Sequence, residues 1–267
     1  MARLAMFAVL TYVVSWGAWF GAGALEPAAP TSASRIAADQ HSIAWWMLIY
    51  PGTFAPSLMA TALTALEQGS AGVSALYSRL VKGDVKLRWY LFAFFYMLVV
   101  KLVVALAHRT TYGVWPPFTD EPFYILVAAT ILSTVLLVQA GEELGWRGYM
   151  LPCLAARFGY AWSSIMVGVV WAAWHLPLFY IAGADKTGQS FPVWGLSVVA
   201  ISVAITWLYA NTGGSLLLTM LMHAAVNNMG SLVSSATPGA TDVWTLTGSP
   251  AIMLTLLLLW VPAAWFL

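Results

Sequence analysis

Apolar runs long enough to cross a bilayer recur along nearly the whole chain, at about 3–24, 44–66, 89–107, 122–146, 160–182, 192–210, 215–234 and 251–267. The hydrocarbon layer of a membrane is about 30 Å thick, which a helix crosses with roughly 20 apolar residues. Backbone N–H and C=O groups in that layer must be satisfied within the segment, so such runs are helical. The expected fold is therefore all-α, a polytopic integral membrane bundle of about eight transmembrane helices forming a single domain over residues 1–267. Composition agrees, with 61% hydrophobic and 8% charged residues, whereas a soluble domain carries about a quarter charged. The net charge of +1 gives no footing for a nucleic-acid partner. The single cysteine, Cys153, excludes an internal disulfide and a cysteine-rich metal cluster. It is read as a small packing residue.

The N-terminal stretch "MARLAMFAVLTYVVSWGAWFGAGALEP" loosely resembles a secretory signal, with a basic start, an apolar stretch and a small-residue end. An apolar run of roughly 20 residues fits a first transmembrane helix better. Arg3, then Arg79, Lys82, Lys86 and Arg88, then Arg147 and Arg157 fall on one side, against Arg35, Arg109 and Lys186 on the other. Lysine and arginine concentrate on the cytoplasmic side, which puts both termini there. Compact loops and no targeting tail suggest the bacterial cell membrane. Residues 73–82, "VSALYSRLVK", gather Val73, Leu76, Tyr77 and Leu80 on one face, the pattern of a short helix on the cytoplasmic surface. Ser, Thr and Gly fill 231–250, expected as a solvated outer loop, and His41 and His108 are placed in outer loops.

Against this background the stretch "VQAGEELGWRGYM", residues 138–150, stands out. A charged side chain at mid-membrane costs roughly 2.5–3.5 kcal/mol on insertion scales, so such groups are usually kept for function. Glu143 and Arg147 are spaced i, i+4 with the acid N-terminal, the favoured order for a helical ion pair. Glu142 lies about 100° round the helix, on the face of Gln139 and Trp146, and is expected to be left free. A helical turn is expected near Phe158-Gly159, with Glu142 and His175 each about sixteen residues from it and hence at one level. His223 and Asn227 share one face of the seventh helix at i, i+4. Three helices thus bring Glu142, His175, His223 and Asn227 toward one point. Lys101 lacks an evident partner and is read as paired in the bundle or snorkelling. Trp146, Trp171 and Trp174 are candidate walls of the polar cluster.

A glutamate and a histidine on one water can take its proton as it attacks a carbonyl. A second histidine and an asparagine amide can donate to the oxyanion that forms. That layout hydrolyses a peptide bond without serine or cysteine. The same Glu142, His175 and His223 are ordinary zinc-ligand types, so zinc is the alternative. The HExxH pattern is absent and Asn227 would be an unusual ligand, so no cofactor is the favoured expectation.

These residues also carry a resemblance. "EELGWRG" fits an EExxxR motif, "WAAWH" an FxxxH motif and "HAAVN" an HxxxN motif. In that order they resemble the CPBP family of intramembrane proteases, which includes the CAAX prenyl endopeptidases and bacteriocin-processing relatives. The motif core covers about residues 120–235. The resemblance implies an intramembrane endopeptidase with Glu142 as catalytic glutamate, His175 as its partner on water, and His223 with Asn227 as oxyanion hole. Glu143 and Arg147 would hold the site in shape. Relatives are described both as glutamate-type peptidases and as metalloproteases. The chain departs from the pattern with Trp171 where the second motif has Phe, and with Trp146 where Phe is commoner. The implied partner is a membrane-bound protein or peptide substrate, such as a prenylated tail or a leader peptide, met within the lipid bilayer. Two other readings use the same charges: a proton-coupled transporter, and a non-catalytic immunity or scaffold protein. Transporters often show a repeat with paired broken helices, and none is visible.

Overall fold

Four of the helices begin on a serine whose side chain accepts the backbone N–H three residues on: Ser42 from Trp45, Ser190 from Val193, Ser215 from Leu218 and Ser249 from Ile252. Such caps satisfy one of the donors a helix start leaves open. The computed structural model describes residues 2–25, 41–181, 184, 186, 188–234, 242–246 and 248–267. Its helices are α1 (Ala2–Leu25), α2 (Ile43–Ser78), α3 (Leu87–Tyr112), α4 (Phe123–Val135), α5 (Ala140–Glu143), α6 (Leu151–Trp174), α7 (Phe191–Asn211), α8 (Leu216–Met229) and α9 (Pro250–Phe266). A π-helix, Leu144–Met150, joins α5 to α6. Among the described residues the only β pairing is an isolated bridge between Phe118 and Val233. The molecule is an all-α membrane bundle. Four stretches, α1, α3, Ala140–Trp174 and α7, are long and apolar enough to cross a bilayer, while α4, α8 and α9 are shorter apolar helices.

Glycines turn the chain where a side chain could not follow. Gly159 (φ 73, ψ 169) folds α6 into a hairpin at the expected turn, so that residues after it run back along the segment holding Glu142. Gly69 (φ 64, ψ −161) bends α2, and the residues after it are helical as expected. That helix continues as a 3₁₀ turn, Arg79–Val81, and buries Leu76 and Leu80, although Tyr77 stays exposed.

The helix expected over 122–146 is broken. α4 stops at Val135, the chain turns through 136–139 with Leu137 at φ 56, and α5 restarts at Ala140. Hydropathy carries no sign of this, because "STVLLV" is as apolar as the helix before it. The run expected to 182 ends at Trp174, where Pro177 disfavours helix in the residue ahead of it and a 3₁₀ turn, Leu176–Phe179, follows.

Helices in lipid gain little from the hydrophobic effect and rely on close packing and interhelical hydrogen bonds. Gly141 and Gly145 supply that closeness on the α5–π segment: a Cβ added at Gly145 would lie 2.5 Å from Pro56 Cβ and 2.7 Å from its backbone. Pro56 sits inside α2 and has no N–H to offer Gly52 O. Ser15 Oγ of α1 supplies the missing donor at 2.7 Å and in turn accepts Trp174 Nε1 of α6, also at 2.7 Å. A proline inside α2, a serine and a tryptophan thereby tie three helices together next to His175. The helix α7 is buried on nearly every side and packs on α6 where Gly168 meets Val199 Cα.

The single-residue expectations divide. Lys101 is buried and paired within the bundle, its ammonium donating to Val233 O at 3.2 Å and reaching Thr255 Oγ1 at 3.4 Å. His108 lies inside α3 rather than in a loop, buried, with Nδ1 2.9 Å from Val114 O. His41 is stacked on Trp45 at 3.8 Å. Cys153 is exposed rather than packed. Part of the expected 231–250 loop and Arg35 lie outside the described residues; within that loop Val233 is fully buried rather than solvated.

Candidate active site

The Glu143–Arg147 pair is formed as its spacing requires. Arg147 Nη1 donates to Glu143 Oε1 at 2.7 Å, and both side chains are wholly buried. Arg147 therefore belongs to the bundle interior and not to the tally of loop charges. The same Glu143 oxygen also takes His223 Nδ1 at 2.9 Å. A carboxylate can only accept, so Nδ1 carries the proton and Nε2 points the other way round the ring. Glu143 thus orients the histidine of α8 as well as neutralising arginine, and it does so across 80 residues of sequence. Histidines held by a carboxylate in this way keep a fixed tautomer and ring direction.

Glu142, next along the chain, faces elsewhere and is only half-buried. It is not free, however: Trp171 Nε1 donates to its Oε2 at 2.6 Å. Glu142 also adds a second negative charge in the surroundings of Arg147. Trp171 organises most of what remains. Its indole lies under the Arg147 guanidinium at 4.4 Å, and meets the His223 ring edge-on at 5.1 Å. Its carbonyl lies 2.9 Å from His175 Nδ1. Since a carbonyl only accepts, Nδ1 of His175 is the protonated nitrogen, which gives Nε2 the lone pair in the neutral ring. Trp174 at 4.6 Å and Trp194 at 4.9 Å hold that ring edge-on.

The expected site residues are therefore assembled in two groups. Glu143, Arg147 and His223 are bonded directly, while Glu142 and His175 are linked through Trp171. Asn227, one helical turn beyond His223, is exposed and makes no side-chain hydrogen bond among the described residues. Its neighbour Asn228 is buried, with Nδ2 donating to Ala224 O at 2.8 Å. Trp171 is more than the expected wall, and the signal for this in the sequence is its position four residues before His175, one helical turn away. Among the described residues no three His, Cys, Asp or Glu side chains converge to hold a metal ion.

Within the helical membrane bundle a buried Glu–Arg–His cluster thus stands beside a second glutamate and histidine. Comparison with known proteins adds a likeness to proteases. Residues 124–229, the segment that carries the three motifs, match the family model described as type II CAAX prenyl endopeptidase Rce1-like. Over 233 residues the chain is 25% identical to the CAAX prenyl protease 2 of Methanococcus maripaludis, covering 83% of this chain and 82% of that relative. The resemblance read from the motifs is borne out, and it lies with the CAAX-type intramembrane proteases.

Proposed function

We propose that the protein is an intramembrane endopeptidase in which Glu142, with His175, activates water for attack on a peptide carbonyl. The observation that carries this is the pairing of the two through one residue: the Trp171 indole holds one Glu142 oxygen at 2.6 Å while its carbonyl fixes the His175 tautomer at 2.9 Å. The second Glu142 oxygen takes the proton of the water, the water oxygen bonds to the carbonyl carbon, and the carbonyl oxygen gains negative charge. His223, its ring aimed by Glu143, and Asn227 serve as the oxyanion hole for that oxygen. Collapse of the intermediate breaks the C–N bond, and Glu142 returns its proton to the leaving amine. Preorganised donors at a developing oxyanion account for about two to three orders of magnitude in comparable sites. Glu143 and Arg147 act through His223 and touch no reacting atom.

The substrate class follows from the setting. A site walled by membrane helices meets membrane-associated proteins or peptides, and the name of the Methanococcus relative favours a prenylated C-terminal tail over a leader peptide. The basic residues at one end of the bundle favour a cytoplasmic site with both termini on that side.

The test is incubation of the purified protein with a mixed peptide library holding prenylated and leader-like sequences, products being read by mass spectrometry with and without phenanthroline. Cleavage unaffected by the chelator is the expected result. Cleavage abolished by it would overturn the metal-free mechanism. An uncleaved library, with proton uptake in liposomes, would replace the peptidase by a transporter.

A further inference from the structure

Where α7 ends and α3 begins, the end of the bundle holds an open surface hollow of about 510 Å³ that the peptidase chemistry does not use. Lys82, Lys86 and Arg88 line it, with Asp84 as the one acid, Trp89 as an apolar wall and Thr212 on its floor. Lys82 is fixed there, its ammonium donating to Gly213 O at 2.6 Å. Lys86 and Arg88 are exposed and make no ion pair among the described residues; Arg88 lies over the Trp89 ring at 4.8 Å. Three cations against one carboxylate leave two positive charges concentrated around an open hollow.

The depth of this hollow is marked by tryptophan. Trp89 packs on Trp207 at 5.2 Å, and Trp207 contacts Trp265 at 6.0 Å. Tryptophans collect at the level of lipid headgroups. Val81, Leu87 and Leu91, neighbours in sequence of the lining residues, are exposed and suit acyl chains. A ligand here therefore meets cations at its head and an apolar surface beside it. Basic pockets between helices at that depth hold phosphate headgroups.

We infer that this pocket binds the phosphate of an anionic phospholipid headgroup, with Lys82, Lys86 and Arg88 as its donors and the acyl chains along α3. The chemistry recognised is a phosphate ester, so a soluble phosphate is the competing source.

The full-length protein in neutral detergent is titrated with diacyl phosphatidylglycerol, with phosphatidylcholine, and with water-soluble glycerol 3-phosphate, and bound complexes are counted by native mass spectrometry. Phosphatidylglycerol should bind in preference to phosphatidylcholine, and glycerol 3-phosphate should fail to displace it. Each charge near a membrane surface is worth about fivefold in affinity, so Lys86→Gln with Arg88→Gln should weaken phosphatidylglycerol about thirtyfold. Asp84→Asn should tighten it about fivefold. Equal binding of the two lipids, or a double variant that binds as the wild type does, would overturn the site. Displacement by glycerol 3-phosphate at equal concentration would make the ligand a soluble phosphate instead. Should the double variant fail to fold, unchanged affinity in Asp84→Asn alone would overturn the proposal.

Discussion

The indole nitrogen of Trp171 donates to Glu142 at 2.6 Å, and the backbone carbonyl of the same tryptophan lies 2.9 Å from His175 Nδ1. One residue therefore aims both groups that the proposed mechanism puts on water. Phenylalanine would keep the ring and the carbonyl contact but lose the N–H. Trp171→Phe should lower kcat by about ten- to hundredfold, the worth of a hydrogen bond to a charged group. Steady-state kinetics check it, with KM and the thermal midpoint nearly unchanged.

Glu143 and Arg147 are a fully buried pair, and breaking one side of such a pair costs about 3–5 kcal/mol because the other charge stays behind. Glu143→Gln should thus lower the thermal midpoint in detergent markedly. Replacing both, Glu143→Leu with Arg147→Met, should restore most of the stability. The double variant should still be inactive, because His223 Nδ1 has lost its acceptor. Recovered activity would show that Glu143 serves stability alone.

Asn227 and Asn228 separate along the same line. Asn227 is exposed and unbonded among the described residues, so Asn227→Ala should leave the thermal midpoint unchanged while reducing kcat by about a hundredfold, as expected for an oxyanion donor. Asn228 donates to Ala224 O inside the bundle, so Asn228→Ala should act mainly on stability. Melting curves and rates measured on both variants decide between them.

Gly145 has no room for a methyl group beside Pro56. Gly145→Ala should push α2 off the π-helix and lower both the folded yield and activity, measured by fluorescence-detected size exclusion. At Gly17 of α1 an added methyl group would meet nothing within 4 Å, and Gly17→Ala should be tolerated.

Buried Lys101 holds Val233 O, at the end of the segment following α8. Lys101→Met removes that donor and should destabilise by about 1–3 kcal/mol, the usual cost of an unsatisfied buried acceptor. Activity per folded molecule should change little, which active-site titration against the folded fraction can show.

Hydropathy made the bundle legible, and helical spacing made the Glu143–Arg147 pair legible, because both depend on residues close in sequence. The hairpin at Gly159 was visible for the same reason. The break at 136–139 was not, since an apolar run looks alike whether or not one residue leaves the helix at Leu137. Nor was the choice His223 makes between the two adjacent acids. It depends on how the π-helix and α8 pack, across 80 residues. The role of Trp171 fell between these cases: its spacing to His175 was visible, but the indole hydrogen bond required the hairpin to close first.

The most direct test of the central claim is the rate of peptide cleavage by Glu142→Gln beside the wild type, on one substrate and with matched folded protein. The substitution keeps the shape and the Trp171 contact but removes the base. Loss of at least about a thousandfold is expected from general-base and positioning contributions together. A variant that cleaves within tenfold of the wild type would contradict Glu142 as the group that activates water.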